Sequence, residues 1–361
     1  MRFVISCGGS GGHVFPGMAT GELLKKSGHD VDLWLAGKSI EQTTLNGWAG
    51  SVATISMDWG GASSPLAVFR TFFRLLRAWF DCRRRLRRNR PRVLLAMGSR
   101  ASLIPVAAAR SLGIPVVLHE ANVLPGKAIS LLSRLFRVTV ALGFSETAQY
   151  LPGRRTLMTG FPLRDMTPQG PLPGLPPGTA PAVLVMGGSQ ASAKVNELAC
   201  EALIRLHRAG TPLRVIHLAG AKQEQAIRKD YAEAGVPAVV FGFLRDMGAA
   251  YASAAVALSR AGAASCAELA AFGVPAFYIP YPFAGNHQRL NALALDRAGA
   301  AITRNQDSLT VNGLADRLGA LLANPAERAR MKAAALKAAI PDAANRLADL
   351  LVQTATEPPR P

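Results

Sequence analysis

Residues 2–17 read RFVISCGGSGGHVFPG. The apolar run Arg2–Cys7 predicts a buried strand, and Pro16–Ser27 has the pattern of a helix, with Pro16 at an early position that tolerates proline. Between them lie four glycines, which let backbone amides approach an anion at the amino end of the helix. The alternative is a tight strand–helix turn without a ligand.

This glycine loop differs from two common nucleotide-binding loops. Read as G-x-G-x-x-G from Gly9, it has Val14 in place of the third glycine, and no acid follows the second predicted strand, where Ala36-Gly37-Lys38 stands. No Gly-Lys-Ser or Gly-Lys-Thr follows the glycines, so the loop is not a P-loop either. A dinucleotide-dependent oxidoreductase and a P-loop NTPase are therefore excluded.

Strand-like runs alternate with helical patterns on both sides of Pro162–Pro181, a segment with seven prolines that has the composition of a linker. The predicted strands before it are Val31–Ala36, Val52–Met57, Val93–Met97, Val116–His119 and Val138–Leu142, and those after it are Ala182–Met186, Arg214–Leu218, Val239–Phe241, Val256–Leu258 and Ala276–Ile279. The expected fold class is α/β, with two doubly wound Rossmann-like domains that face each other across a cleft. We expect them at residues 1–161 and 182–342, joined by the linker at 162–181.

The composition is typical of a folded protein with an anionic partner. Hydrophobic residues make up 49% of the 361 residues, which argues against disorder, and 41 basic against 23 acidic residues give a net charge of +18. Nucleic acid, a membrane surface or a phosphorylated substrate would fit this charge. The four scattered cysteines predict reduced thiols rather than a disulfide scaffold or a zinc site. No stretch resembles a signal peptide or a transmembrane helix, so we expect a soluble or peripheral protein.

A second glycine turn stands at the matching place after the linker. Val183–Ser189 (VLVMGGS) resembles Val4–Ser10 (VISCGGS), and both predict a buried strand that runs into Gly-Gly-Ser. Because ligands of open α/β sheets lie at the carboxyl ends of strands, both turns are candidate phosphate sites. His13 follows the first turn, where the amino end of a helix disfavours the protonated ring and leaves it able to accept a proton. A helix-capping or core histidine is the alternative.

Five motifs are spread over nearly the whole chain. They are GGSGGHVFPG at Gly8–Gly17, LGIPVVLHEAN at Leu112–Asn122, GGSQASAKVN at Gly187–Asn196, SRAGAASCAELAAFGVPAFYIPYP at Ser259–Pro282 and NHQRLNA at Asn286–Ala292. In this order and spacing they resemble the MurG family of peptidoglycan N-acetylglucosaminyltransferases, which have the GT-B fold. The resemblance implies an inverting transfer of N-acetylglucosamine from UDP-N-acetylglucosamine to the 4-hydroxyl of the muramoyl sugar of lipid I, which forms lipid II. It implies no cofactor, no metal and no covalent enzyme intermediate.

The resemblance places the UDP-sugar donor on the second domain. Glu268 would accept hydrogen bonds from both ribose hydroxyls, and its alternative is a solvated or capping glutamate. Phe243, Leu244 and Met247 match a uracil pocket, although they could equally be core. The other donor-binding residues that the resemblance implies are Arg164 and Ser189 at the diphosphate, His287 and Gln288 at the sugar hydroxyls, and Gln190. His287 and Gln288 could instead cap the helix that begins there.

The first domain would bind the acceptor and associate with the membrane, and a C-terminal helix at about 343–355 can pack back on it. The acceptor-binding residues that the resemblance implies are Ser10, Gly11, Gly12, His13 and Asn122, with the Gly11 and Gly12 amides at the lipid diphosphate. Inversion also needs a base for the attacking hydroxyl. His13 is the first choice for this catalytic role, Glu120 is its competitor, and the sequence leaves the choice open.

Besides Ser10, where threonine is frequent, and Ala191, where glycine is usual, three further positions depart from the family pattern. Phe161 replaces asparagine in the Gly-Asn-Pro-x-Arg segment, Arg100 replaces the tyrosine of a Gly-Gly-Tyr sequence, and Gly285 replaces the aspartate before Asn-His-Gln. None of these changes removes a donor-binding residue that the resemblance implies.

Residues 70–92 hold ten arginines and one aspartate, and the first part of the segment is amphipathic at helical spacing. One stripe carries Phe69, Phe73, Leu76 and Phe80, and the adjacent stripe carries Arg70, Arg74, Arg77 and Arg84. Aromatic residues beside arginines suit a membrane interface with anionic lipids, and the resemblance implies an apolar patch ringed by basic residues in this domain. In the alternative, the phenylalanines pack on the sheet and the arginines form a solvated face. Nucleic-acid binding is a further alternative, but no nucleic-acid motif accompanies the arginines.

The resemblance also implies a location and partners. The expected location is the cytoplasmic face of the bacterial inner membrane, with peripheral attachment. The expected partners are UDP-N-acetylglucosamine, undecaprenyl-linked lipid I, the anionic membrane surface and other proteins of cell-wall synthesis, without nucleic acid. Two other functions stay open: a related GT-B transferase with another nucleotide sugar or lipid acceptor, and a nucleotide- or phospholipid-binding protein without turnover.

Overall fold

The computed structural model describes residues 1–8, 11–37, 45, 48–55, 65–188 and 192–357, and it divides the chain into two compact units. The first unit consists of Met1–Arg164 together with the chain from Pro341 onward, and the second unit is Asp165–Ile340. Most of the proline-rich segment therefore belongs to the second unit, and the chain returns to the first unit near its C-terminus.

The described residues of each unit form one sheet, and all strand pairs in it are parallel. The strands are β1 (Arg2–Ser6), β2 (Asp30–Leu35), β3 (Ser51–Thr54), β4 (Val93–Ala96), β5 (Val116–Glu120), β6 (Thr139–Leu142), β7 (Arg155–Met158), β8 (Ala182–Met186), β9 (Arg214–Leu218), β10 (Ala238–Phe241), β11 (Val256–Ser259), β12 (Ala276–Tyr278) and β13 (Ala301–Thr303). Within the described residues, the sheet orders are β3-β2-β1-β4-β5-β6-β7 and β10-β9-β8-β11-β12-β13. The order reverses beside β1 and beside β8, so the carboxyl ends of these strands lie at the switch points where ligands of such sheets bind.

Helices connect the strands and cover the sheets. They are α1 (Gly11–Lys26), α2 (Pro65–Asn89), α3 (Leu103–Arg110), α4 (Lys127–Leu135), α5 (Ala193–Arg208), α6 (Glu224–Glu233), α7 (Met247–Ser253), α8 (Ala263–Ala271), α9 (His287–Arg297), α10 (Val311–Ala323), α11 (Pro325–Ala338) and α12 (Ala343–Thr356). In the part of the chain that is described, no helix is both long and apolar enough to cross a membrane.

Helix α1 begins at Gly11, five residues before the predicted start at Pro16. Gly11, Gly12 and His13 therefore form its first turn. Pro16 lies inside the helix, where it has no N–H to donate to the Gly12 carbonyl, so the prediction of an early, tolerated position for this proline is wrong.

The core of the first unit lies on both faces of its sheet. On one face, Phe3 and Ile5 of β1 pack with Leu347 and Leu351 of α12, so the C-terminal helix is part of the first unit. The four-residue spacing of the two leucines places both on the same side of that helix. On the other face, the core includes Leu86 of α2. All four cysteines are free and buried.

Helix α2 buries a narrow face and leaves its aromatic face exposed. Cys82 and Leu86 are fully buried. Phe69, Phe73 and Phe80 are 60%, 50% and 57% exposed. The alternative in which the phenylalanines pack on the sheet is therefore wrong.

Candidate functional site

The glycine turn after β1 is tied to the turn after β4. A Cβ atom on Gly8 would lie 2.7 Å from the Cβ of Ala36, so only glycine fits there. The Ser99 hydroxyl donates a hydrogen bond of 2.8 Å to the Gly8 carbonyl and accepts one of 3.2 Å from the Ala101 amide. These two bonds hold Ser99 at φ +65°, an unfavourable backbone region for a residue other than glycine. The next residue, Arg100, is exposed.

His13 lies in the first turn of α1 and faces the ends of β4 and β5. A Cβ atom built on Gly98 would lie 3.7 Å from the His13 Nε2 and 3.7 Å from the His119 carbonyl oxygen. The ring is half-buried, and Gly12 beside it is exposed. His13 is thus a partly accessible imidazole at the carboxyl edge of the first sheet. Ser10 lies outside the described residues.

The Glu120 carboxylate is 4% exposed and holds the turn between β5 and α4. Its Oε1 accepts hydrogen bonds from the Asn122 amide at 2.9 Å and from the Asn122 side chain at 3.2 Å. Its Oε2 accepts a bond of 2.8 Å from the Gly126 amide, directly before α4. Protonation of the carboxylate would weaken these charge-assisted bonds.

His119 is a buried residue that the sequence analysis did not single out. Its Nε2 lies 3.0 Å from the Gly160 carbonyl, which can only accept, so Nε2 carries the proton. The Phe161 ring packs edge-on against it at 6.2 Å between centroids, which gives the departure at position 161 a structural role. Burial lowers the pKa of His119 to about 4.

Through His119, acid is expected to destabilise the first unit. Between pH 7 and 5, a histidine of the unfolded chain gains a proton, whereas His119 with a pKa of about 4 stays neutral, so protons favour unfolding. Through this residue, the free energy of unfolding is expected to fall by about 2 kcal/mol from pH 7 to pH 5. All four tryptophans lie in residues 34–79, so their fluorescence in urea reports on the first unit. Over the same pH change, the free energy of unfolding of His119→Gln should fall by about 2 kcal/mol less than that of the unchanged protein. Equal losses would contradict a neutral His119.

In the second unit, the Glu268 carboxylate is positioned by a tyrosine. Glu268 lies in the body of α8 and is half-buried, so it does not cap that helix. The hydroxyl of Tyr251, a side chain that is 1% exposed, donates a hydrogen bond of 2.6 Å to the Glu268 Oε2. The bond fixes one carboxylate oxygen. A carboxylate has further lone pairs that could accept hydroxyl groups of a ligand.

The segment after β10 presents an aromatic side chain to solvent. Phe243 is 80% exposed, and Leu244 and Met247 are half-buried, so Phe243 is not a core residue. Asp246 is the capping residue directly before α7, and its carboxylate accepts a hydrogen bond of 3.0 Å from the Ala249 amide. Backbone hydrogen bonds to Ala249 and Gln169 lower the pKa of Asp246.

Gln288 connects the ends of two strands. Its Oε1 accepts hydrogen bonds from the Ala261 amide at 3.2 Å and from the Tyr281 amide at 3.0 Å, so it does not cap its own helix. Its amide group keeps two N–H donors for a ligand. His287 is the first residue of α9 and is half-buried. Before it, Gly285 has φ +70°, a conformation that would strain the aspartate found there in the family.

The predicted donor residues divide between the units. Arg164 is the last residue before the second unit and is exposed, with its guanidinium 4.8 Å from the centre of the Phe15 ring. Ser189 and Gln190 lie outside the described residues, and Ser192 follows them. Among the described residues, no group of three or more histidine, cysteine and acidic side chains could hold a metal ion.

Comparison with known proteins agrees with this architecture. Residues 3–140 match the glycosyltransferase family 28 N-terminal domain, and residues 182–347 match its C-terminal domain. The UDP-N-acetylglucosamine--N-acetylmuramyl-(pentapeptide) pyrophosphoryl-undecaprenol N-acetylglucosamine transferase of Synechococcus elongatus is 40% identical over 360 residues, with 97% of each chain covered. The Aeromonas hydrophila protein of the same name is 37% identical over 358 residues, with 98% of this chain and 97% of that protein covered. The crystal structure of Acinetobacter baumannii MurG superposes with a TM-score of 0.80 at 28% identity, covering 98% of this chain and 100% of that one.

Two doubly wound parallel sheets, each with a glycine turn after a strand at its switch point, are those of a GT-B glycosyltransferase. The chain belongs to glycosyltransferase family 28. The predicted fold class, the resemblance to the MurG family and the enzyme class are thereby confirmed.

Proposed function

We propose that this protein transfers N-acetylglucosamine from UDP-N-acetylglucosamine to the 4-hydroxyl of the muramoyl sugar of lipid I, with inversion at the anomeric carbon, and releases UDP and lipid II. The observation that carries the proposal is 40% identity, over 97% of both chains, to an enzyme named for this transfer. The motif residues His13 and Glu268 also have geometry suited to the reaction.

In the proposed mechanism, His13 is the general base. Its imidazole takes the proton of the acceptor hydroxyl while the oxygen attacks the anomeric carbon, and the bond to the UDP oxygen breaks. The two electrons of that bond stay on the diphosphate. The first turn of α1, with the Gly11 and Gly12 amides, offers N–H groups to the acceptor diphosphate. We assign Glu120 to holding the Asn122 turn, because its carboxylate already accepts three N–H groups.

In the same mechanism, the second unit holds the donor. Glu268, fixed by Tyr251, accepts the ribose hydroxyls. Phe243, Leu244 and Met247 surround the uracil, and the exposed ring of Phe243 offers a face for stacking. His287 and Gln288 contact the sugar hydroxyls, and Ser189 and Gln190 meet the diphosphate side of the donor. Arg164, which the resemblance also places at the diphosphate, belongs to the first unit.

Acceptor-dependent UDP release tests this function. The purified protein receives a short-chain lipid I analogue with UDP-N-acetylglucosamine, UDP-glucose or UDP-N-acetylgalactosamine, and a control omits the acceptor. We expect release with the first donor that requires the acceptor. Preference for another donor would identify a related transferase, and UDP binding without release would identify a nucleotide-binding protein.

We also propose that α2 holds the enzyme peripherally on the cytoplasmic face of the bacterial inner membrane. The Phe69 and Phe73 rings pack together at 4.6 Å between centroids while both stay exposed, and Phe80 and Leu76 continue the apolar face. Arg70 and Arg77 are exposed beside them. Aromatic rings at headgroup depth with adjacent arginines bind anionic lipid surfaces.

Charge removal on α2 should weaken membrane binding. Changing Arg70, Arg74 and Arg77 together to Gln is expected to lower the partition coefficient onto anionic vesicles at low salt by about tenfold or more, because each basic residue contributes about 1 kcal/mol there. Sedimentation with vesicles measures this partition. A matched variant changes Arg205, Arg208 and Arg317, exposed arginines of the second unit, and should bind like the unchanged protein. Equal loss in both variants would show a net-charge effect instead.

A further inference from the structure

The second unit buries a guanidinium group that forms no ion pair with any of the residues that the structure describes. Arg260 follows β11 and is 5% exposed. Its Nη1 donates hydrogen bonds to the carbonyls of Ile279 at 3.0 Å and Pro280 at 3.1 Å. Its Nη2 donates to the Ser192 hydroxyl at 2.9 Å and to the Gln306 side-chain oxygen at 2.6 Å. All four acceptors are neutral, and no carboxylate of the described residues forms an ion pair with Arg260.

An unbalanced buried charge is costly, because several kcal/mol of hydration are lost without an opposite charge to offset them. Burial lowers the pKa of Arg260, but arginine stays protonated in proteins at neutral pH. Four hydrogen bonds keep the group in place. The Tyr281 ring lies 5.6 Å from the guanidinium, but no acidic side chain of the described residues forms an ion pair with it.

Ser192 connects this charge to the amino end of helix α5. Its hydroxyl oxygen accepts the bond from Arg260 and one of 3.5 Å from the Val195 amide, so its own hydrogen remains to be donated. Ser192 is the residue before α5, a helix of 16 residues whose amino end is electropositive. Arg260 and Ser192 therefore act on the same carboxyl edge of the sheet, where β8 and β11 end.

We propose that Arg260 is a positioning residue for the donor diphosphate, acting through Ser192 and through its unbalanced charge. It strengthens binding of the diphosphate group and leaves binding of the uridine part unchanged. The inference rests on the proposed function, because that function supplies the nucleoside diphosphate. In the transfer step, the same positive charge stabilises the negative charge that develops on the leaving diphosphate.

Arg214 provides a matched control. Its Nε and Nη1 donate to the carbonyls of Ala180 at 2.9 Å and Pro176 at 3.0 Å, which are also neutral acceptors. Arg214 begins β9, however, so it lies at the amino edge of the sheet, opposite the ends of β8 and β11. Its replacement tests the loss of a hydrogen-bonded arginine away from the proposed site.

The test is calorimetric titration of the full chain with UDP and, separately, with uridine. Arg260→Met is expected to weaken UDP binding about tenfold and to change uridine binding less than about twofold. Arg260→Lys, which keeps the charge, should recover part of the lost UDP affinity. Arg214→Met should preserve the ratio of the Kd values for UDP and uridine. An unchanged ratio in Arg260→Met would overturn the inference, whether both affinities fall together or neither changes.

Two further outcomes keep the inference separate from the proposed function. If the unchanged protein fails to bind UDP, the proposed donor is wrong. If Arg260→Met does not fold, Ser192→Ala replaces it, because it removes the hydroxyl and keeps the guanidinium. A several-fold loss of UDP binding with uridine binding kept supports the inference, and unchanged UDP binding contradicts it.

Discussion

Replacing His13 with glutamine is expected to lower kcat for acceptor-dependent UDP release at least about 100-fold, with the Kd for UDP changed less than about twofold. Glutamine keeps much of the size and hydrogen-bonding capacity of the ring but cannot take up the hydroxyl proton. The nucleotide should still bind, because Glu268, Phe243 and Gln288 all belong to the second unit.

The matched variant is Glu120→Gln. This change replaces one carboxylate oxygen by an NH2 group, which faces the N–H group of Asn122 or Gly126 and cannot accept its hydrogen bond. The variant should therefore mainly lower the free energy of unfolding. Initial rates with saturating donor, together with urea unfolding, separate the two effects. A stable Glu120→Gln enzyme without turnover, beside an active His13→Gln enzyme, would transfer the role of base to Glu120.

The second large effect is expected at Glu268. Its change to Ala should weaken UDP binding by about tenfold or more, because hydrogen bonds of a charged group contribute about 1.5–3 kcal/mol. Calorimetry with UDP measures the loss of affinity. The same titration with a UDP analogue that lacks both ribose hydroxyls shows whether these hydroxyls account for it. The unchanged protein should discriminate between the two ligands, whereas Glu268→Ala should bind them about equally.

Tyr251→Phe is the companion variant, because it removes only the hydroxyl that holds the Glu268 Oε2. Tyr251→Phe should weaken UDP binding several-fold and should keep part of the preference for UDP over the analogue without ribose hydroxyls. Unchanged UDP affinity in Glu268→Ala would remove this residue from the donor site.

The fold class followed from the sequence because short β-branched runs alternated with helical patterns, which is typical of parallel sheets covered by helices. Strands β7 and β13 were missed because both lie at a sheet edge and neither carries a long apolar run. β7 is largely exposed, and β13 is a three-residue strand that ends in threonine. The start of α1 was placed too late because glycines 11 and 12 are poor helix formers and Pro16 is typical of a helix start.

The positions of the motif residues could be anticipated, but their partners could not. Tyr251 and Glu268 are 17 residues apart on different helices, so no periodic pattern joins them. Gln288 accepts hydrogen bonds from residues after two different strands, which lie side by side only in the folded sheet. For Arg260 a signal was present: a charged residue directly after the buried strand β11 and before an apolar helix. The amphipathic pattern of α2 predicted an apolar face but not whether that face would be covered.

The linkage in the isolated product tests the central claim most directly. UDP-N-acetylglucosamine carries the sugar in the α configuration, so inverting transfer to the 4-hydroxyl predicts a β-(1→4)-linked disaccharide on the lipid diphosphate. NMR of the purified product from a short-chain lipid I analogue determines both the configuration and the position of the bond. A β-(1→4) linkage agrees with direct attack by a hydroxyl that His13 deprotonates. An α linkage, or attachment at another hydroxyl, would contradict the account.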